Sequence, residues 1–304
     1  MLITSILDNI KAGFFSSLFF SINHYIFCKK RNINFKFISS NWLYKSINGW
    51  SDYFANEIEL NYYPNDSEIY YFRHDDVLDE FTMYEYRDVI LNEIYVYNDE
   101  IKRRIEETNS KLNLLKGEYD SIYIRRGDKL CYESKYYSSD KYIKLLLEKN
   151  PNCKTIFLQT DDYNCFLDIE KYIIDNSLDI KLITLCDPSE VGVVNYEINI
   201  EEQFNLYCDI INGDQEHKEY FDLIKNKLQN TKPVSKMNSE EIYNHTVNMI
   251  IGIDIVLHSK YCILDNQSNV SRFINISHDS IENVFDIRYP NDIFDMNRTR
   301  IPAW

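Results

Sequence analysis

Two adjacent arginines, Arg125 and Arg126, stand where a short β-branched and aromatic run, Ser121-Ile-Tyr-Ile124, gives way to Gly127-Asp128. Arginine offers a planar fork of N–H groups matched to phosphate oxygens, and the fork is worth most in a partly desolvated cleft. The chain has a formal net charge of −15 and a pI near 4.9. Phosphate polymers are therefore repelled, no nucleic-acid partner is expected, and an anionic ligand must be held by a few well-placed cations. Side chains alternate along a strand, so the two arginines cannot point the same way. One is expected to face a ligand and the other to brace a carboxylate, with Asp128 the nearest. The alternative is an ordinary structural Arg–Asp pair. Arg126-Gly127-Asp128 also spells an adhesion tripeptide, but it follows a strand directly in a chain without a secretion signal.

No other cluster of residue types competes with this one. Seven cysteines and six histidines are scattered singly, without C-x-x-C or H-E-x-x-H spacing. That pattern gives neither a disulfide framework nor a zinc site, and it indicates a reducing, cytoplasmic compartment. No metal is expected. The segment Ala12-Gly-Phe-Phe-Ser-Ser-Leu-Phe-Phe, running on to Cys28, is strongly apolar and is followed by Lys29, Lys30 and Arg31. Ser16, Ser17, Ser21, Asn23 and His24 interrupt it, whereas a bilayer span needs about 20 mostly apolar residues. A signal peptide places its positive charge before the apolar run, not after it. A buried helix is the better reading, so no stable membrane span is expected, with peripheral or N-terminal association the alternative.

The elements that must position Arg125 follow from periodicity. Of 304 residues only seven are Gly and six Pro, which leaves no flexible linker. Strands are expected at 2–6, 34–38, 121–124, 155–159, 181–185 and 261–264. Helices are expected at 18–28, 86–116, 140–149, 165–174 and 244–257, and from Val270 onward. Alternating strands and helices predict an α/β protein with a parallel sheet covered on both faces. In such sheets ligands bind beyond the C-terminal ends of the strands, where the polar clusters fall. The chain divides into an N-terminal α/β domain, 1–116, and a C-terminal domain, 117–304, with 189–240 a probable insertion of helices and loops. Asp161-Asp162 reads equally well as a cap for the helix that follows, and Trp42 and Trp50 read as packing residues. The wealth of Tyr (25) and Phe (17) excludes intrinsic disorder.

The longer pattern Tyr123-Ile-Arg-Arg-Gly-Asp-Lys129, with Glu133 four residues on, resembles the H-x-R-R-x-D-K…E segment of the α-1,6-fucosyltransferase family. That family includes the N-glycan core and chitooligosaccharide (nodulation) enzymes. Gly13-Phe-Phe-Ser-Ser…Cys28 is similar to its N-terminal G-F-G-x-Q-x-H-H loop and helix. Asn41-Trp42…Gly49-Trp50 resembles its aromatic loop, and Phe157-Leu-Gln-Thr-Asp-Asp162 its strand-T-D-D motif. Asp254-Ile255 and Ser268-Asn-Val-Ser-Arg272 resemble its D-I…S-Q-V-C-R region. These blocks occur in the family's order over most of the chain.

The resemblance implies a GT-B-like fold, two Rossmann-like α/β domains facing a cleft, and an inverting, metal-independent transfer of fucose from GDP-fucose to a glycan hydroxyl. No cofactor is implied beyond the donor substrate. Arg125 would hold the β-phosphate, with Arg126 and Asp128 beside it. Gly13 and Phe14 would belong to the donor loop, Tyr123 and Asp254 would lie at the base, and Ser268 and Asn269 would meet the phosphates at a helix N-terminus. Lys129 and Glu133 would lie near the acceptor, with Glu133 the catalytic base. One helical turn would place both on one face, where the lysine could orient the carboxylate or lower its pKa. Three departures stand out: Tyr123 replaces the family's histidine, Phe15 its second loop glycine, and 189–240 is longer than the family pattern. Two alternatives follow, a transferase of another nucleotide sugar and a non-catalytic glycan- or nucleotide-binding module.

Overall fold

The computed structural model describes residues 2–6, 12–56, 58–60, 82–131, 134–210, 214–292 and 296. The chain forms two compact units. The first comprises 1–107, 238–247 and 295–304; the second comprises 108–237 and 248–294.

In the first unit β1 (Leu2–Ile6) and β2 (Asn34–Ile38) pair in parallel around α1 (Phe14–Arg31), and β3 (Glu59–Leu60) adds an antiparallel edge. Helix α1 is the apolar segment singled out above, and Phe14, Leu18, Ile22 and Cys28 are all buried. Asn32, in left-handed conformation at φ 54°, ends it, and Lys29, Lys30 and Arg31 in its last turn complement the helix dipole. Among the described residues no helix is long and apolar enough to cross a membrane. Residues 86–116 do not form one helix. α2 (Met83–Val89) continues into a π-helical turn at Ile90–Ile94, and α3 (Asp99–Leu112) starts afresh after Tyr95, Tyr97 and the capping Asn98. Burial of Tyr95 and the β-bridge from Tyr97 to Phe54 override the helical pattern at the break.

The second unit is built on a five-stranded, wholly parallel sheet. Its strands are β4 (Asp120–Ile124), β5 (Thr155–Thr160), β6 (Lys181–Thr184), β7 (Cys262–Leu264) and β8 (Val284–Asp286), in the spatial order β6-β5-β4-β7-β8. The α/β class expected from alternating elements is the one observed. Ile122, Ile124, Ile156, Leu158 and Ile263 point to one face, where α4 (Ser139–Lys149) and α5 (Tyr163–Asp175) cover them through Ile143, Leu146, Ile169 and Ile173. The helix α8 (Ser239–Leu257) meets the start of β4, where the Tyr119 hydroxyl donates to the Ile255 carbonyl at 2.6 Å. Residues 189–240, expected to be an insertion, contain α6 (Ile200–Ile210) and α7 (Gln215–Gln229). Phe204, Phe221, Ile224 and Leu228 of these helices close over Leu130, Cys131 and Tyr136.

The chain runs from β4 outward through β5 to β6, then returns to the other side of β4 for β7 and β8. Strand order therefore reverses between β4 and β7. A crevice outside the strand ends at such a point is where parallel sheets take ligands.

Candidate anion site at the strand exits

Arg125 and Arg126 leave the central strand β4 and turn at Gly127 into a short 3₁₀ helix, Gly127–Cys131. They do point different ways, but the carboxylate is braced by the first. The Arg125 guanidinium pairs with Asp128 at 3.2 Å and with Asp161 through its other terminal nitrogen, and its side chain is 15% exposed. Arg126 is sealed inside, 1% exposed. Its guanidinium lies 4.5 Å from the Tyr136 ring centroid and 5.5 Å from that of Tyr220, and it donates to the Tyr137 carbonyl. A buried cation stays charged there because aromatic faces and a carbonyl replace its hydration. The Tyr220 hydroxyl in turn donates to buried Asp162, which also caps α5 through the Asn164 amide.

Asp161 is the hub of the exit. One carboxylate oxygen accepts from the Arg126 backbone N–H at 2.7 Å, and the other from the Val193 N–H at 3.0 Å. Residues 190–195 strap across the exits of β4 and β5. Asp128 donates its N–H to the Val193 carbonyl at 3.1 Å, while the Asn195 backbone and side-chain N–H groups both reach the Asp128 carboxylate at 3.3 Å. The strap lies flat because two glycines meet: Gly127 at φ 61° and Gly192 at φ 128°. A methyl group on Gly192 would come within 2.2 Å of the Gly127 Cα, so neither position tolerates a side chain without displacement.

On the β7 side the chain leaves through Asp265-Asn266-Gln267-Ser268 into α9 (Asn269–Ser277). Ser268 caps that helix by accepting from the Ser271 N–H at 3.2 Å. Burial pushes the nearby Tyr123 phenol up to about 12, against the opposing pull of Arg125 and Ser268. The Asn269 side-chain oxygen accepts from Arg272 at 3.0 Å. The Gln267 side chain bridges the two exits, accepting from the Lys135 N–H at 3.3 Å and donating to Asp265 at 2.5 Å. Burial raises Asp265 to about 6, against the opposing pull of Gln267 and Arg288. Arg288 itself is shared between Asp265 at 3.2 Å and Asp286 at 2.7 Å.

Arg125, Arg126, Asp128, Tyr123, Ser268 and Asn269 are thus gathered at the exits of β4 and β7. Lys129 is half-buried in the 3₁₀ turn, where its carbonyl accepts from the Ser134 N–H at 2.8 Å. Glu133 lies outside the described residues. Asp254 is at the opposite end of β4, buried beside His258 with a ring-to-carboxylate distance of 3.4 Å. Burial disfavours the charged ring of His258, but the Asp254 contacts outweigh this and raise its pKa above the usual value. Gly13 and Phe14 belong to the first unit. Gly13 opens α1, and Phe14 is packed 4.8 Å from Trp42 and 5.4 Å from Tyr44, ring to ring.

Four participants escaped the sequence reading. Asp161 was legible only as a cap, although a carboxylate directly after a strand next to the arginine strand was the available signal. Val193 contributes backbone groups, which no side-chain pattern announces. Asp265 and Arg288 are 23 positions apart in the numbering and meet only because β7 and β8 are neighbours.

Comparison with family models gave no match, and comparison with curated proteins gave none either. Among solved structures, the chain is similar to NodZ α-1,6-fucosyltransferase co-crystallized with GDP. The likeness covers 90% of this chain and 91% of that one, at 10% identity and a TM-score of 0.46.

Proposed function

We propose that the chain is a glycosyltransferase acting on a nucleoside-diphosphate sugar, with GDP-fucose the donor and a glycan hydroxyl the acceptor. The observation that carries this reading is Arg125, a partly exposed guanidinium at the C-terminal exit of the central parallel strand, inside a segment resembling the family's R-R-x-D-K. Breaking the bond between sugar and diphosphate builds positive charge on the ring and negative charge on the departing phosphate. A guanidinium and backbone N–H groups aimed at that phosphate stabilise the departure. The acceptor hydroxyl must lose a proton as it attacks, and Glu133 is the proposed base, oriented by Lys129. Attack opposite the leaving group inverts the anomeric centre. No metal or cofactor is called for in this scheme.

A donor-hydrolysis screen across nucleotide sugars tests the reading without knowledge of the acceptor. Arg125→Ala is expected to lower turnover by about 100-fold, the usual effect of removing one charge-stabilising donor. Glu133→Gln is expected to retain GDP binding and lose transfer; unchanged product formation would reject the base. A second reading, the same chemistry on another nucleotide, is favoured by Tyr123, a buried phenol where the family has histidine. Calorimetry with GDP, UDP and CDP separates the two, and tight UDP binding without GDP binding would reject fucose as the sugar.

A further inference from the structure

Three donors converge on one carboxylate at the exit of β4: the Arg126 N–H at 2.7 Å, the Val193 N–H at 3.0 Å and the Arg125 guanidinium. A guanidinium flanked by two backbone N–H groups is the usual equipment of a phosphate site. Gly127 lets the strap and the carboxylate come close together: a methyl group there would lie 2.9 Å from the Asp161 carboxylate oxygen and 2.5 Å from the Val193 carbonyl oxygen. Asp161 is 10% exposed and Arg125 15%, so the seat lies just beneath the surface, where a small anion can reach it. The charges in contact are one arginine against Asp128 and Asp161, which leaves a surplus negative charge facing any incoming phosphate. Asp128 is not the exchangeable partner. It is 2% exposed and is held by both N–H groups of Asn195.

We propose that the Asp161 carboxylate is a built-in stand-in for the ligand, seated on Arg125, Arg126 N–H and Val193 N–H until a pyrophosphate group displaces it. The strap at 190–195 takes part in the exchange, because the Val193 N–H passes from the Asp161 carboxylate to an oxygen of the incoming phosphate. This deepens the donor-phosphate reading and rests on it, but it assigns the seat, its competitor and the strap that supplies one of its donors. Glycine at 192 keeps the strap close enough for its N–H to count among the donors.

The test uses inorganic pyrophosphate with the full chain, so it does not depend on nucleotide or sugar. Calorimetry is expected to show Asp161→Ala and Asp161→Asn binding pyrophosphate at least tenfold more tightly than the unaltered protein. Adding Arg125→Ala to either should abolish the gain. Asp161→Asn keeps a side-chain oxygen for one of the two N–H groups and serves if the alanine variant fails to fold. Hydrogen exchange supplies a third arm: the Val193 amide, deprived of its acceptor in Asp161→Ala, should lose protection and regain it at saturating pyrophosphate. Variants that fold but bind pyrophosphate no better, or a Val193 amide in Asp161→Ala that saturating pyrophosphate leaves unprotected, would overturn the proposal. Should the variants gain pyrophosphate affinity while no nucleotide sugar is hydrolysed, the seat stands and the transferase reading falls.

Discussion

The aromatic loop of the first unit and the strand exits of the second handle polarity in opposite ways. Around Trp50 the chain packs ring on ring. Phe54 stacks at 4.0 Å, Phe37 meets Trp50 edge-on at 5.4 Å, and Trp42 lies 5.9 Å away. Both indole N–H groups, of Trp42 and Trp50, are buried without a hydrogen-bond partner among the described residues. Apolar contact outweighs that cost, because each ring buries a large area while one lost hydrogen bond costs only about 1–3 kcal/mol. At the exits of β4, β7 and β8 almost every charged group is matched: Arg125 by Asp128 and Asp161, Arg288 by Asp265 and Asp286. The first region is therefore organised by volume, the second by charge.

That contrast can be broken by experiment. The largest effect is expected from Trp50→Ala, a cavity in the aromatic loop that should cost about 3–5 kcal/mol in urea unfolding. If the loop is packing alone, pyrophosphate affinity per folded molecule should not change; a parallel loss of affinity would place the loop in the binding machinery.

Next comes the pH dependence set by Asp265. Its folded value is raised from 3.8 to about 6, so the native state holds a proton that the unfolded chain releases. The associated stability is complete below about pH 4 and is lost as pH rises to 6, by up to about 3 kcal/mol at 1.36 kcal/mol per unit. Asp265→Asn should flatten the stability profile across that window. An unchanged slope would mean that the exit charges are looser than their geometry implies.

The smallest effect is expected from Ser268→Ala. Loss of the N-cap of α9 should lower stability by about 1 kcal/mol. Urea unfolding checks it, and an unchanged midpoint would show that this cap contributes nothing to the β7 exit.

Most strands and helices of the second unit were legible because each carries its own period. Thr155–Thr160 is a continuous buried strand and Tyr163–Asp175 an amphipathic helix, and neither needs a distant partner to be recognised. The short strand β8 was not legible: three residues, Val284–Asp286, show no period and are strand only by pairing with β7. The break in residues 86–116 was missed for the complementary reason, a helical pattern interrupted by a tertiary contact between Tyr97 and Phe54.

Composition and local pattern by themselves determined the α/β class, the excess of acidic over basic residues and the position of two arginines at a strand's end. These depend on residue types and near neighbours, which a linear string records. Only the tertiary structure decided which arginine meets carboxylates, which is walled in by tyrosines, and that a distant glycine at 192 lies against Gly127. Those outcomes follow from strand order, helix packing and backbone contact between segments far apart in the chain, and no local propensity encodes them.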